Sequence, residues 1–301
     1  MFGYVFEKVG AIFAPVGRSY QLQTKSAASY LNGKENVLAL LELYRAHGID
    51  VPKNSSLSEA LNRGINLSDE WLLGGADRLT TADVIRAAVC ARIVDSALQL
   101  REESEAVAKH YLSKLLRGSM DLLSREPSEA KNFLWELECF RMLKGHNIGA
   151  TFAEPDIVAK TTEGALGIAC KKIYSEANIE KVLSEAVEQI EVSNKPGIIA
   201  LNLDEWVPDN SILSVASFKA LTSICNINNN RFLQTHKRHV EKYCCSGRAL
   251  AIWVTTSVVA EVRNEPVRLS NATQSIIWSS TKISADNGKI VESFAKLFSG
   301  Y

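Results

Sequence analysis

Glu154-Pro155-Asp156-Ile157-Val158, then Thr161-Thr162-Glu163-Gly164, then Gly167-Ile168-Ala169-Cys170-Lys171-Lys172 is the stretch that decides the fold. Two β-type runs, Ala150 to Ala159 and Leu166 to Tyr174, flank a turn and predict a hairpin. Side chains two apart on a strand share a face, so Ala169 and Lys171 point one way while Ile168, Cys170 and Lys172 point the other. Asp156, on the partner strand, projects beside the first pair.

On either side of the hairpin the periodicity changes to that of helices. A helix is predicted from about 129 to 144, closed by Gly145 as a left-handed cap. A second runs from about 178 to 192, with Ile179, Val182, Leu183, Ala186, Val187 and Ile190 as its buried stripe. Asn194-Lys195-Pro196-Gly197 breaks the chain before Ile198 to Leu203, a run apolar enough for a strand buried on both faces. Helices over 211–224 and 228–243 and a strand from Ala249 to Val254 follow. Alternating elements of this kind predict an α/β fold, helices flanking a mixed sheet.

Upstream, residues 35–117 read as helical throughout. Val37, Leu40, Leu41 and Tyr44 form one stripe, and Val84, Ile85, Ala88, Ile93 and Ala97 another. Thr80, Thr81 and Asp83 supply N-terminal caps, and Leu73-Gly74-Gly75-Ala76 separates two helices. Residues 117–128, with Gly118, Ser124 and Pro127, suit a linker or a turn between helices. The expected division is an all-helical region over 1–117 and a second domain over 118–301, with the helical part free to mediate a homodimer or partner docking.

Composition bounds the function. Thirty-four basic and 34 acidic residues cancel over 301 positions, so a polyanion must be gripped by a local patch rather than by the whole field. The six cysteines show neither a CxxC pair nor zinc-ligand spacing, which predicts buried free thiols and a cytoplasmic location. Met1 to Val16 lacks the basic start of a signal peptide, and no uncharged apolar run approaches the ~18 residues of a membrane span.

Phosphodiester hydrolysis with magnesium needs carboxylates converging on the ion and a cation beside the attacking water or the charged phosphate. Asp156 and Lys171 satisfy part of that requirement. Glu136 lies on the helix face shared by Phe133, Leu137, Phe140 and Leu143, where a carboxylate must find a partner or a metal.

Glu-Pro-Asp, a hairpin, Ile-Ala-Cys-Lys-Lys, a helix carrying Ala186 and Gln189, and the strand Pro-Gly-Ile-Ile-Ala-Leu together resemble the PD-(D/E)xK nuclease superfamily, the restriction-endonuclease-like fold. The resemblance covers roughly residues 130–255. It implies a magnesium-dependent (or manganese-dependent) DNA endonuclease, RNA not excluded, in which Asp156 binds the metal and Lys171 is the motif lysine. It also implies that Glu136, with Glu138 as second candidate, is the helix carboxylate and that Gln189 orients water or phosphate. Ala169 departs from the pattern by standing where the motif acid belongs. Shifting the frame to Cys170 and Lys172 keeps the spacing but offers magnesium a soft thiol. An inactivating exchange at 169 and a lineage that kept binding without catalysis both fit the alanine.

Lys172, Arg231, Lys237, Arg238 and Lys242 are the candidate phosphate contacts, the last four on a basic helix whose other reading is a solvated face. His236 and His239 lack companions at ligand spacing and read as exposed.

Overall fold

The computed structural model describes residues 3–4, 17–27, 32–74, 80–207, 212–264 and 269–299. Among them the strands are β1 (Gly3–Tyr4), β2 (Gly17–Ala27), β3 (Ala150–Ala153), β4 (Asp156–Thr161), β5 (Gly164–Lys172), β6 (Gly197–Asn202), β7 (Leu213–Val215), β8 (Ala251–Val262) and β9 (Leu269–Ser280). The helices are α1 (Gly33–Ala46), α2 (Ser56–Gly74), α3 (Thr81–Ala97), α4 (Glu105–Leu115), α5 (Glu129–Gly145), α6 (Ile179–Val192), α7 (Phe218–Thr235), α8 (Lys237–Cys244) and α9 (Ala285–Ser299). None of them is long and apolar enough to cross a membrane.

The strands form one mixed sheet in the order β1-β2-β9-β8-β6-β5-β4-β3, with β7 added beside β8. β5, β6 and β8 run parallel, and the flanking pairs β3–β4, β4–β5 and β8–β9 are antiparallel. Every residue of β6 is buried, as a central strand covered on both faces requires. Strand alternation sorts the core into two layers. Ile168, Cys170, Ile198, Ala200 and Trp253 pack with α5 and α9 on one face. Ala169, Ile199, Leu201, Ile252 and Val254 pack with α6, α7 and α8 on the other. Trp135 of α5 donates its indole N–H to the Ala200 carbonyl at 3.1 Å, fixing that helix over β6.

Local sequence chemistry explains several boundaries. Thr80 caps α3 by accepting from the Asp83 amide while the Asp83 carboxylate accepts from the Thr80 amide, a complete capping box. The α6 stripe is buried at Ile179, Leu183, Ala186, Val187 and Ile190. The left-handed residue after α5 is Asn147, at φ 57°, rather than Gly145. Asn tolerates that region through its short polar side chain.

Four expectations are corrected. The run Ala150 to Ala159 is two strands, because Glu154-Pro155 makes a tight turn that pairs Ala153 with Asp156. The two helices expected over 211–224 and 228–243 are instead β7, one helix over Phe218–Thr235 and a separate short helix after His236. The strand after them extends to Val262 and is followed by β9 and α9, which complete the sheet and its cover. Finally, the N-terminal region is not all-helical: β2 pairs along its whole length with β9. Residues 75–76 of the predicted break and most of the first 16 residues lie outside the described residues.

The helical region shares a core with the sheet domain. Leu40, Tyr44, Ile93, Val94, Tyr111 and Leu112 of α1, α3 and α4 cluster with Ala130, Leu134 and Leu137 of α5. A buried ion network adds a polar tie. Arg92 of α3 reaches Glu138 of α5 at 2.8 and 3.0 Å and Asp204 at 2.6 Å, and Asp204 accepts the Ser257 amide at 2.8 Å. Burial opposes ionisation of Asp204, but Arg92 and Lys172 outweigh it and hold its pKa below the ordinary value.

Candidate nuclease-type cleft

The turn at Glu154-Pro155 starts β4 at Asp156, so this carboxylate stands where the sheet ends and solvent begins. A side chain at Gly167 would put its Cβ 2.8 Å from Cδ of Pro155, so the glycine allows the turn to lie against β5. The pairing of Ile157 with Ile168 continues outward to place Asp156 across from Ala169. Opposed residues of an antiparallel pair share a face. Asp156, Ala169 and Lys171 therefore all lie toward α6, which carries Gln189.

The contacts follow this register. Asp156 accepts the Cys170 backbone N–H on Oδ2 at 2.7 Å and the Gln189 side-chain N–H on Oδ1 at 3.4 Å. Gln189 Oε1 is buried and finds no hydrogen-bond partner among the described residues. Glu136 comes in from α5 and accepts the Tyr111 hydroxyl at 2.7 Å. These groups lie in a cleft of about 850 Å³ walled by α4, α5, α6 and the β3–β4 turn.

Burial dominates the electrostatics. It raises the pKa of Glu136 to about 8, with the Asp156 charge adding to the effect and the Tyr111 hydrogen bond, Lys171 and Lys114 opposing it. Asp156 is raised to about 6, again mainly by burial, against the Cys170 amide, Lys171 and Gln189. Lys171 thus favours the charged form of both acids through space, without a direct ion pair among the described residues. Tyr111, pushed upward by burial and by Glu136, stays a neutral hydroxyl donor.

Five carboxylates line the cleft (Glu129, Glu136, Glu154, Asp156 and Glu185) against two lysines. One of these, Lys172, is already committed: its ammonium is 3.1 Å from Glu205, both side chains only 6% exposed, and 2.9 Å from Asn202 Oδ1.

Ala169 is fully buried beneath α6 and does not itself line the cleft, although it sits beside Asp156. Cys170 is corrected as a ligand. Its side chain packs beside Cys139 on the α5 face of the sheet and forms part of the cleft lining, but burial holds the thiol far from ionisation. Lys172, expected as a phosphate contact, lines the cleft with its ammonium engaged by Glu205 and Asn202. Glu138, the second candidate for the helix carboxylate, is bound to Arg92 and does not line the cleft.

The basic segment lies elsewhere. Arg231, Lys237, Arg238 and Lys242 contribute nothing to the cleft wall. Lys237 pairs with Glu241, Lys242 pairs with Glu180, and the helix break at His236 prevents one continuous basic face. His236 is buried against Phe232 and Trp206 rather than exposed, and burial lowers its pKa.

Sequence reading missed Tyr111, Phe133, Phe152 and Tyr174, all on the cleft wall. Tyr111 falls on the apolar stripe of α4 and carries no motif signal, since its partner Glu136 is 25 residues away on another helix.

Among the described residues no group of three or more His, Cys, Asp or Glu side chains is disposed to hold a metal. Two hard carboxylates and one orphaned amide oxygen are nevertheless the donors a magnesium ion takes, since that ion keeps several waters and commonly uses only one or two protein carboxylates. No family model matches the chain, no curated protein matches it, and no solved structure matches it.

Proposed function

We propose that this cleft is the site of a magnesium-dependent nuclease acting on DNA, with Ala169 standing in for its third carboxylate. The observation that carries the reading is the convergence of Asp156, Lys171, Gln189 and Glu136 at one end of the sheet, with position 169 directly beside Asp156. Asp156 and Glu136 would hold the ion, which supplies a Lewis acid for the phosphate and an acidified water. Lys171 offers positive charge to the developing phosphorane, and Gln189 retains a free oxygen to orient a water. Tyr111 holds the Glu136 carboxylate in place.

A cleavage assay tests this directly. Linear, nicked and single-stranded DNA are incubated with magnesium or manganese and the chain or its Ala169→Glu variant. The variant is expected to cut faster than the parent, and Lys171→Ala or Asp156→Asn in that background to abolish cutting. A folded Ala169→Glu protein that leaves every substrate intact would remove the enzymatic reading.

A second reading, a non-cutting nuclease fold that binds DNA, is favoured by one observation: a methyl group fills the motif-acid position. Binding would then depend on Arg231 and Arg238, which are exposed on α7 and α8, and would weaken steeply with salt.

A further inference from the structure

We infer that the cleft takes an unpaired nucleic-acid strand rather than an intact duplex, an inference that rests on the nuclease reading of the same site. The carboxylates that would meet the scissile phosphate line a concave space, and both are only partly exposed. A volume of about 850 Å³ falls within the range of ~300–1,000 Å³ that encloses a small ligand on most sides. A stiff double helix carries its phosphates on a broad cylinder that cannot bend into a concave space of this size, whereas a flexible single strand can follow its walls.

The walls supply what a threaded strand needs. Phe133 and Phe152 are half-buried on the cleft wall; Phe152 is packed against Tyr111 at 4.3 Å and stacked on Phe140 at 4.2 Å, whereas Phe133 meets Tyr111 only edge-on at 5.6 Å and is the better placed to meet a base. Tyr174 also lines the cleft, its hydroxyl donating to Asn132 Oδ1 at 3.0 Å. Base stacking on such rings is sequence-tolerant because every base has a π face. Five carboxylates face two lysines, so the lining itself supplies little phosphate attraction to either form of nucleic acid. Affinity must come from stacking and from phosphate held through a divalent ion.

The test is fluorescence anisotropy on the full chain with calcium, a hard cation with oxygen ligands, so that binding is read apart from cutting. Probes are a labelled single-stranded oligodeoxynucleotide, the blunt duplex of the same sequence, and that duplex with a single-stranded tail. Single-stranded and tailed probes are expected to bind at least about tenfold tighter than the blunt duplex, and chelation to abolish the difference. Phe133→Leu should weaken single-strand binding about fivefold or more while leaving the melting temperature near that of the parent. Should this variant unfold, a 2-aminopurine base in the parent complex reports stacking by quenching of its emission. Equal or tighter binding of the blunt duplex, or an unquenched probe, overturns the inference. Duplex binding accompanied by metal-dependent cutting would leave the nuclease reading standing and sink only the single-strand claim. Failure of every probe to bind with any divalent ion would remove both.

Discussion

Ala169 shows how much one side chain carries. Its methyl is buried beside Asp156, so Ala169→Glu brings a third acid next to two whose pKa values are already raised. Without metal this variant should lose on the order of 3 kcal/mol of stability, the cost of an unpaired charge in a buried place, measured by urea unfolding. Magnesium should restore much of that loss and raise the melting temperature of the variant more than that of the parent, because an ion that binds only the folded state stabilises it. The pH dependence follows from the same acids. Glu136, at about 8 in the fold against an ordinary 4.5, binds its proton more tightly when folded. Its contribution to stability is therefore fully present below about 4.5 and is lost as pH rises through about 8. Melting temperature of the metal-free chain is expected to fall across that window, and Glu136→Gln to flatten the fall. Tyr111→Phe removes a hydrogen bond that favours the charged form, so the midpoint of the fall should move upward. The face shared by Asp156, Ala169 and Lys171 was legible because strand alternation has a period of two. The fate of Lys172 was not, since its partner Glu205 reaches it from a different segment of chain.

At the scale of elements, α5 is held from two sides. Its apolar face meets α1, α3 and α4 through Leu134 and Leu137, while Glu138 ties it to Arg92 and, through Arg92, to Asp204. Arg92→Met keeps most of the volume and leaves two buried carboxylates without their cation. It should cost about 3–5 kcal/mol, read as a lower midpoint in urea with an unchanged slope. Conservative loss at Arg45 or Arg63, whose ion pairs are exposed, should change stability by less than about 1 kcal/mol in the same measurement. Periodicity revealed α5 and α6 because each buries a long stripe. It ran the end of α7 into α8 as one helix over 228–243 because His236 reads as a solvent residue when only its polarity is considered, whereas its ring packs on Phe232 and Trp206 at the break.

For the whole molecule, the division at residue 117 does not separate two independent cores. β2 completes one flank of the sheet by pairing with β9, and α4 supplies the cleft wall and Tyr111. Residues 118–301 expressed alone would expose Leu134 and Leu137, each worth roughly 2 kcal/mol of burial, and would leave Glu138 unpaired. That fragment is expected to unfold without a cooperative transition by circular dichroism, whereas the full chain melts cooperatively. The sequence by itself determined the α/β class, the hairpin, the central strand β6 and the shared face of Asp156, Ala169 and Lys171, because each depends on neighbours close along the chain. Only the tertiary structure decided that Lys172 is taken by Glu205, that burial keeps the Cys170 thiol protonated, and that a tyrosine from the helical region holds Glu136. Those outcomes depend on which distant segments pack together, and the burial that results sets the proton affinity of the acids.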